Sequence, residues 1–175
     1  MAPMAHELVV PPKVRRGDCV AVLSPSFAAP AVFPHVHERA MHRLREEIGV
    51  EPVEYPTTRR LDAPAEDRAA DLLSAFADPD IGAVLATIGG DDQITVLAHL
   101  DPAAICARPK AFFGYSDNTN LLNWLWSHGV AGYHGGSTMV HLGGRHDVHP
   151  VSARSLKAAL FSDDDLEIEP VDKVS

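Results

Sequence analysis

The sequence predicts an α/β protein: an open, doubly wound, mostly parallel sheet between two layers of helices, flavodoxin- or Rossmann-like in its three-layer plan. Three observations predict it. Short, nearly continuous apolar runs at 19–23 and 81–88 have the composition of strands covered on both faces. Between such runs lie stretches whose apolar residues recur every three or four positions. The two kinds alternate along the chain, which is the order that builds parallel sheets. With 175 residues, 46% of them apolar and 22% charged, the chain suffices for one sizeable core.

Pro11-Pro12 reads as an extended lead-in and Arg16-Gly17-Asp18 as a turn before the first strand, 19–23. That strand stops at Ser24-Pro25-Ser26, a loop at the carboxyl edge, where such sheets bind ligands. Ser24 and Ser26 are therefore second-rank site candidates, and plain turn formation around Pro25 suits them equally. Pro34 fits the first position of a helix whose stripe is Val36, Ala40, Met41, Leu44 and Ile48, with its charged residues facing water and Gly49 ending it. A second strand is expected at 50–55 and a loop at 56–64. Ala69, Leu72, Leu73 and Phe76 then mark a helix that runs up to Asp78-Pro79.

The third strand, 81–88, runs into Gly89-Gly90-Asp91-Asp92. Two glycines there permit a positive φ or a close backbone approach, and Asp91 or Asp92 can cap a helix over 93–100. A bound anion and a plain turn both fit. The full Gly-x-Gly-x-x-Gly fingerprint is absent, so no dinucleotide site is read here. Asp101-Pro102 opens a short helix to about 108. After Ala111 to Phe113, a buried strand, residues 118–128 form a helix ending at His128-Gly129, and 130–133 a fifth strand leading to His134-Gly135-Gly136-Ser137. A last helix is expected over 152–161, capped by Ser152 and burying Leu156, Ala159 and Leu160. Residues 166–171 alternate like an edge strand or a linker.

Between the strand at 111–113 and the helix at 118–128, Gly114-Tyr115-Ser116-Asp117 must turn the chain. A serine on a sharp strand-to-helix turn has its hydroxyl pushed out above the sheet. The backbone N–H groups after it belong to a first helical turn, lack helical partners, and can donate to an oxyanion. Ser116 is thus a candidate nucleophile, and simple capping of the helix is the other reading of the same serine.

Composition excludes several classes. A net charge of −9, from 15 basic and 24 acidic residues, argues against a nucleic-acid partner, which needs a basic face. No apolar run approaches a bilayer span, and residues 1–10 lack the basic region and apolar core of a secretory signal, so a cytoplasmic location is expected. Cys19 and Cys106 lie in no metal or redox spacing and are read as buried free thiols. His141, His146 and His149 lie in a Gly- and His-rich stretch without acidic or cysteine partners at ligand spacing, so no metal is expected, and no cofactor.

Three segments, taken together, resemble one family: Pro11-Pro12-Lys13 through Gly17-Asp18 with Ser24-Pro25-Ser26, then Ile88-Gly89-Gly90-Asp91, then Gly114-Tyr115-Ser116-Asp117. Their order and spacing are similar to the N-terminal half of the serine LD-carboxypeptidases, the family that also holds the microcin C immunity peptidases. The resemblance covers nearly all of the chain. It implies Ser116 as nucleophile, with the backbone N–H groups of Asp117 and of the Gly89-Gly90 turn, Gly89 foremost, as the oxyanion hole. It implies cleavage of an amide next to a free carboxylate, in murein tetrapeptides or, as in the microcin branch, in a peptidyl-nucleotide, with the Ile-Gly-Gly-Asp form closer to that branch.

One departure stands out. In that family the activating histidine and its glutamate lie in a C-terminal domain, and no residue here matches the motifs that carry them. His134 is the one histidine placed near the same edge; to substitute, it must lie within about 3 Å of Ser116 with a carboxylate behind it. Residues 1–165 are accordingly expected to form the nucleophile-bearing domain and 166–175 the start of a linker to a C-terminal domain outside this chain. The chain alone is then inactive or nearly so, and a homodimer is expected. The competing reading is a non-catalytic ligand-binding or dimerisation module of the same fold.

Overall fold

The computed structural model describes residues 8–167. Five strands, β1 (Cys19–Leu23), β2 (Glu51–Glu54), β3 (Ile81–Ala86), β4 (Ala111–Gly114) and β5 (Tyr133–His134), form one sheet in the order β2-β1-β3-β4-β5. All four pairings are parallel. The chain leaves β1 toward one edge and returns to its other side as β3, so a crevice opens between the carboxyl ends of these two strands. The loops after β1, β3 and β4 meet there.

Period-two alternation sends each strand into two cores. Val20, Val22, Leu85 and Phe113 pack on one face with Leu44 and Ile48, and with Leu156 and Leu160 of α6 (Pro150–Phe161). Ala21, Leu23, Val84 and Phe112 pack on the other with α3 (Ala65–Ala77) and α5 (Thr119–Ser127). Phe112, wholly buried between these layers, contributes on the order of 3–5 kcal/mol by the cost of truncating such a ring.

α1 (Ala29–Val32) is a single turn before α2 (Pro34–Arg43), which passes into a π-helical turn, Leu44–Ile48, closed by Gly49 at φ +94°. The expectation that the charged residues of this helix face water fails at Arg43, which is buried. Its guanidinium donates to the carbonyls of Leu142, Gly144 and His146, stapling the Gly- and His-rich stretch onto α2. A 3-10 helix, Gln93–His99, stands where a helix over 93–100 is expected, and Asp92 makes no cap bond to it. α4 (Pro102–Ala107) is capped by Asp101, which accepts from the Ala103 amide. α6 starts two residues earlier than expected, and His149 rather than Ser152 accepts from its first turn.

The fifth strand is shorter than 130–133, because Val130 is drawn into a bridge with Val9 of the lead-in. Cys19 is half-buried and Cys106 exposed, so buried thiols are not what the fold makes of them: α4 turns Cys106 outward. Among the described residues no helix is long and apolar enough to cross a membrane. Leu166 and Glu167 lie outside any strand, and the rest of the alternating stretch at 166–171 lies outside the described residues.

Candidate active site

β4 ends at Gly114, where a Cβ would meet Asn118 Cβ at 2.7 Å, so glycine lets the chain double back on itself. Tyr115 is extended, and Ser116 takes φ +59°, a left-handed conformation that costs a non-glycine residue about 1–2 kcal/mol. A 3-10 turn, Ser116–Asn118, then leads into α5. Asn118 holds the strain in place: buried, it donates to the carbonyls of Ile88 and Tyr115 and accepts from Gln93 Nε2 at 2.7 Å. Gln93 Oε1 in turn accepts from the Leu121 amide, which α5 leaves without a partner at its start. This buried amide pair locks the loop after β3 onto the turn after β4.

Ser116 is exposed at the rim, and among the described residues nothing hydrogen-bonds its hydroxyl. It does not cap the helix. Gly89 comes against it so closely that a Cβ there would lie 2.8 Å from Ser116 Cβ, 2.9 Å from its Oγ and 3.2 Å from the Asp117 nitrogen. Gly90 is equally tight on the other side, where a Cβ would run into Ser26 Oγ and lie 2.9 Å from the Phe27 nitrogen. The Gly89 carbonyl accepts from Phe27 N at 3.3 Å, while among the described residues nothing accepts from the Gly89 or Gly90 amides. Two unbonded amides in a turn packed against an exposed hydroxyl can stabilise an oxyanion.

The serines after β1 separate by role. Ser24 is buried, bonded to Thr87 Oγ1 and to the Thr58 carbonyl, and holds loops together. Ser26 donates to Asp117 Oδ2, which also accepts from the Gln93 amide at 2.9 Å. The carboxylate that serves the Gln93–His99 helix is therefore Asp117, supplied from the loop after β4 in place of Asp91 or Asp92.

Asp92 is engaged elsewhere, in a two-bond pair with the buried Arg68 of α3 at 2.8 and 2.9 Å. Neither Arg68 nor Gln93 stood out in the sequence. The available signal was Arg68-Asp71-Leu72-Ala75, a helical stripe that places two charged residues on a buried face.

His134 does not meet the requirement set for a substitute base: its ring lies 5.8 Å from that of Tyr115 and makes no bond to Ser116. His141 faces the same tyrosine at 5.7 Å, and burial pulls its imidazole below the ordinary value, toward the neutral form. His146 lends its carbonyl to Arg43 and His149 caps α6, so the three histidines of this stretch have separate duties. Beside the rim an apolar cavity of about 480 Å³ is lined by Phe113, Tyr133, His134, Gly136, His141 and Leu156, among others.

Comparison with known proteins places this geometry. Residues 20–135 match the model of the LD-carboxypeptidase N-terminal domain. The chain is 31% identical over 127 residues to the microcin C7 self-immunity protein MccF of Escherichia coli, covering 70% of this chain and 36% of that one. It is 32% identical over 124 residues to the murein tetrapeptide carboxypeptidase of Pseudomonas aeruginosa, covering 66% and 38%. The solved structure of MccF in complex with aspartyl sulfamoyl adenosine superposes with a TM-score of 0.84 at 25% identity, over 90% of this chain and 48% of that one. An MccF-like protein from Bacillus anthracis gives 0.77 at 27% identity, over 88% and 47%. The chain thus spans less than half the length of these relatives, and over that span it belongs to the LD-carboxypeptidase family, as its N-terminal domain.

Proposed function

We propose that this chain is the nucleophile-bearing part of a serine carboxypeptidase that cleaves an amide next to a free carboxylate. Ser116 attacks the amide carbonyl, and the backbone N–H groups of Gly89 and Asp117, with Gly90 shaping the turn, receive the negative charge that develops on its oxygen. The observation that carries this reading is the contact of Gly89 with Ser116, which leaves no room for any side chain and brings an unbonded amide beside an exposed hydroxyl.

A serine hydroxyl at neutral pH needs a base within hydrogen-bond reach, and losing the base of a triad costs several orders of magnitude in rate. In our reading the histidine and its glutamate come from a C-terminal domain beyond the linker that starts at Leu166, and residues 1–165 alone are inactive or nearly so. The substrate is a murein tetrapeptide or a peptidyl-nucleotide. MccF binds aspartyl sulfamoyl adenosine, and glutamyl sulfamoyl guanosine in another structure, which supports the second. The free thiols Cys19 and Cys106 suit a reducing, cytoplasmic compartment. A homodimer completes the proposal, supported by the exposed Phe27, Phe33 and Ile94; a monomer in sedimentation would remove that part alone.

The test is labelling of Ser116 with a fluorophosphonate probe, followed by mass spectrometry, in this chain and in the chain joined to a C-terminal domain. Labelling should be slow in the first and rise at least about a hundredfold in the second. Equal, strong labelling in both removes the need for a second domain, and none in either removes Ser116 as nucleophile.

A further inference from the structure

The buried Arg68 has no part in the chemistry described above, yet it touches two of the three loops that build the site. Its Nη1 donates to the carbonyls of Pro25 at 3.1 Å and Ser26 at 3.4 Å, in the loop after β1. Nη1 and Nη2 also donate to the two oxygens of Asp92, in the loop after β3. Its Nε is buried without a partner, so the side chain spends its bonding on the loop-facing end alone.

Withdrawing a guanidinium from water is costly, and apolar residues of similar volume often fill such places at least as stably. A charge here needs a further reason, and the neighbouring contacts supply one. Between the two segments that Arg68 binds lies the Gly89-Gly90 turn. The loop after β1 presses on that turn: a Cβ at Gly90 would run into Ser26 Oγ, and Phe27 N donates to Gly89 O. Ser26 continues the connection to Asp117, next to Ser116.

We propose that Arg68 is a positioning residue for the oxyanion cradle. By binding the Pro25 and Ser26 carbonyls and the Asp92 carboxylate with one planar group, it sets the loop after β1 against the Gly89-Gly90 turn and so fixes where the Gly89 amide stands relative to the Ser116 hydroxyl. Lysine does not replace it, because a point charge cannot span two carbonyls and a carboxylate in one plane. The proposal rests on the reading of Ser116 as nucleophile and Gly89 as oxyanion donor.

The experiment compares the parent chain with Arg68→Met, Arg68→Ala and Asp92→Asn. Ser116 labelling by a fluorophosphonate is timed in excess imidazole, a soluble proton acceptor, and amide resonances are tracked on 15N-labelled protein. Arg68→Met should slow labelling by about tenfold or more, a loss typical of one misplaced donor, and shift the Gly89, Gly90 and Phe27 amides while those of β3 and β4 stay in place. Millimolar guanidinium should restore much of the rate to Arg68→Ala, which a loss of general stability does not allow. Asp92 is half-exposed, so Asp92→Asn serves if both arginine variants unfold, with a smaller fall in the same direction. Equal labelling of the parent and the variants, with the glycine amides unmoved, overturns the role of Arg68 and leaves the nucleophile standing. A parent chain unlabelled at Ser116 takes away both.

Discussion

The carboxylate of Asp117 accepts the hydroxyl of Ser26 at 2.5 Å, joining the loop after β1 to the residue next to the candidate nucleophile across 91 positions of sequence. The same carboxylate accepts from the Gln93 amide and from Asn120 Nδ2, each at 2.9 Å. Removing it leaves the Ser26 hydroxyl and the Gln93 amide without this acceptor, while Asn120 Nδ2 keeps its bond to the Asp117 carbonyl. Asp117→Ala is expected to cost roughly 2–3 kcal/mol and Ser26→Ala about 1 kcal/mol in urea unfolding. A double-mutant cycle should give a coupling of about 1 kcal/mol; strict additivity would show that the short contact contributes nothing.

Ser116 is held at a backbone angle that glycine adopts freely. Ser116→Gly should therefore stabilise the chain by about 1 kcal/mol, since little is lost with an exposed, unbonded hydroxyl. It should also abolish fluorophosphonate labelling. A destabilised glycine variant would mean that the side chain supports the fold.

Gly89→Ala forces a methyl group against Ser116 Cβ and Oγ. Relief needs the backbone of the turn, which Asn118 anchors, to shift, so the fold should lose roughly 1–3 kcal/mol. Labelling should nevertheless fall at least tenfold, because the amide and the hydroxyl are displaced from each other. Thermal melts and labelling rates together separate the two effects; labelling at the parent rate would remove Gly89 from the cradle.

His37 is wholly buried, with Nε2 3.2 Å from Glu54 Oε2 but off the line of a good hydrogen bond. Burial, first of all, pulls its proton affinity below the ordinary 6.5; Glu54 and Glu38 oppose this and Arg59 adds to it. The unfolded chain thus takes up this proton at a higher pH than the folded one. Between those two pKa values the unfolded state binds more protons, so stability falls as pH drops below about 6.5. Glu54, held low mainly by its hydrogen bonds from Arg59, adds a second loss below its ordinary 4.5. Urea midpoints at about pH 7.5 and pH 5.5 should differ in the parent and converge in His37→Leu. An unchanged difference in that variant would assign the slope to another group.

The elements that local pattern could reach were legible in the sequence: the apolar runs of β1 and β3, the stripe of α3, and the strand-turn-helix that carries Ser116. From local pattern the Gly89-Gly90 turn was legible only as two glycines, with an anion site and a plain turn equally open, and it was the family resemblance that joined it to Ser116 and Asp117. What settles its shape is the meeting of residues far apart in sequence, Gly89 with Ser116 and Ser26 with Asp117, which no local period encodes. For the same reason Asp92 reads locally as a cap, whereas Arg68, 24 positions away, holds it. The histidine cap on α6 and the buried Arg43 escaped because both depend on how the Gly- and His-rich stretch lies on its neighbours. Ser152 and a water-facing helix were the better local guesses, and tertiary packing overrode them.

Every neighbour in this sheet runs in the same direction, so each pairing waits for a crossover to close: Val20 meets Ala83, and Ala83 meets Ala111. Such non-local assembly is intrinsically slow. The surroundings of the Ser116 hydroxyl depend on three loops, so they are complete only when β1, β3 and β4 are all in place. A half-made chain therefore holds the Ser116 hydroxyl without its contact to Gly89.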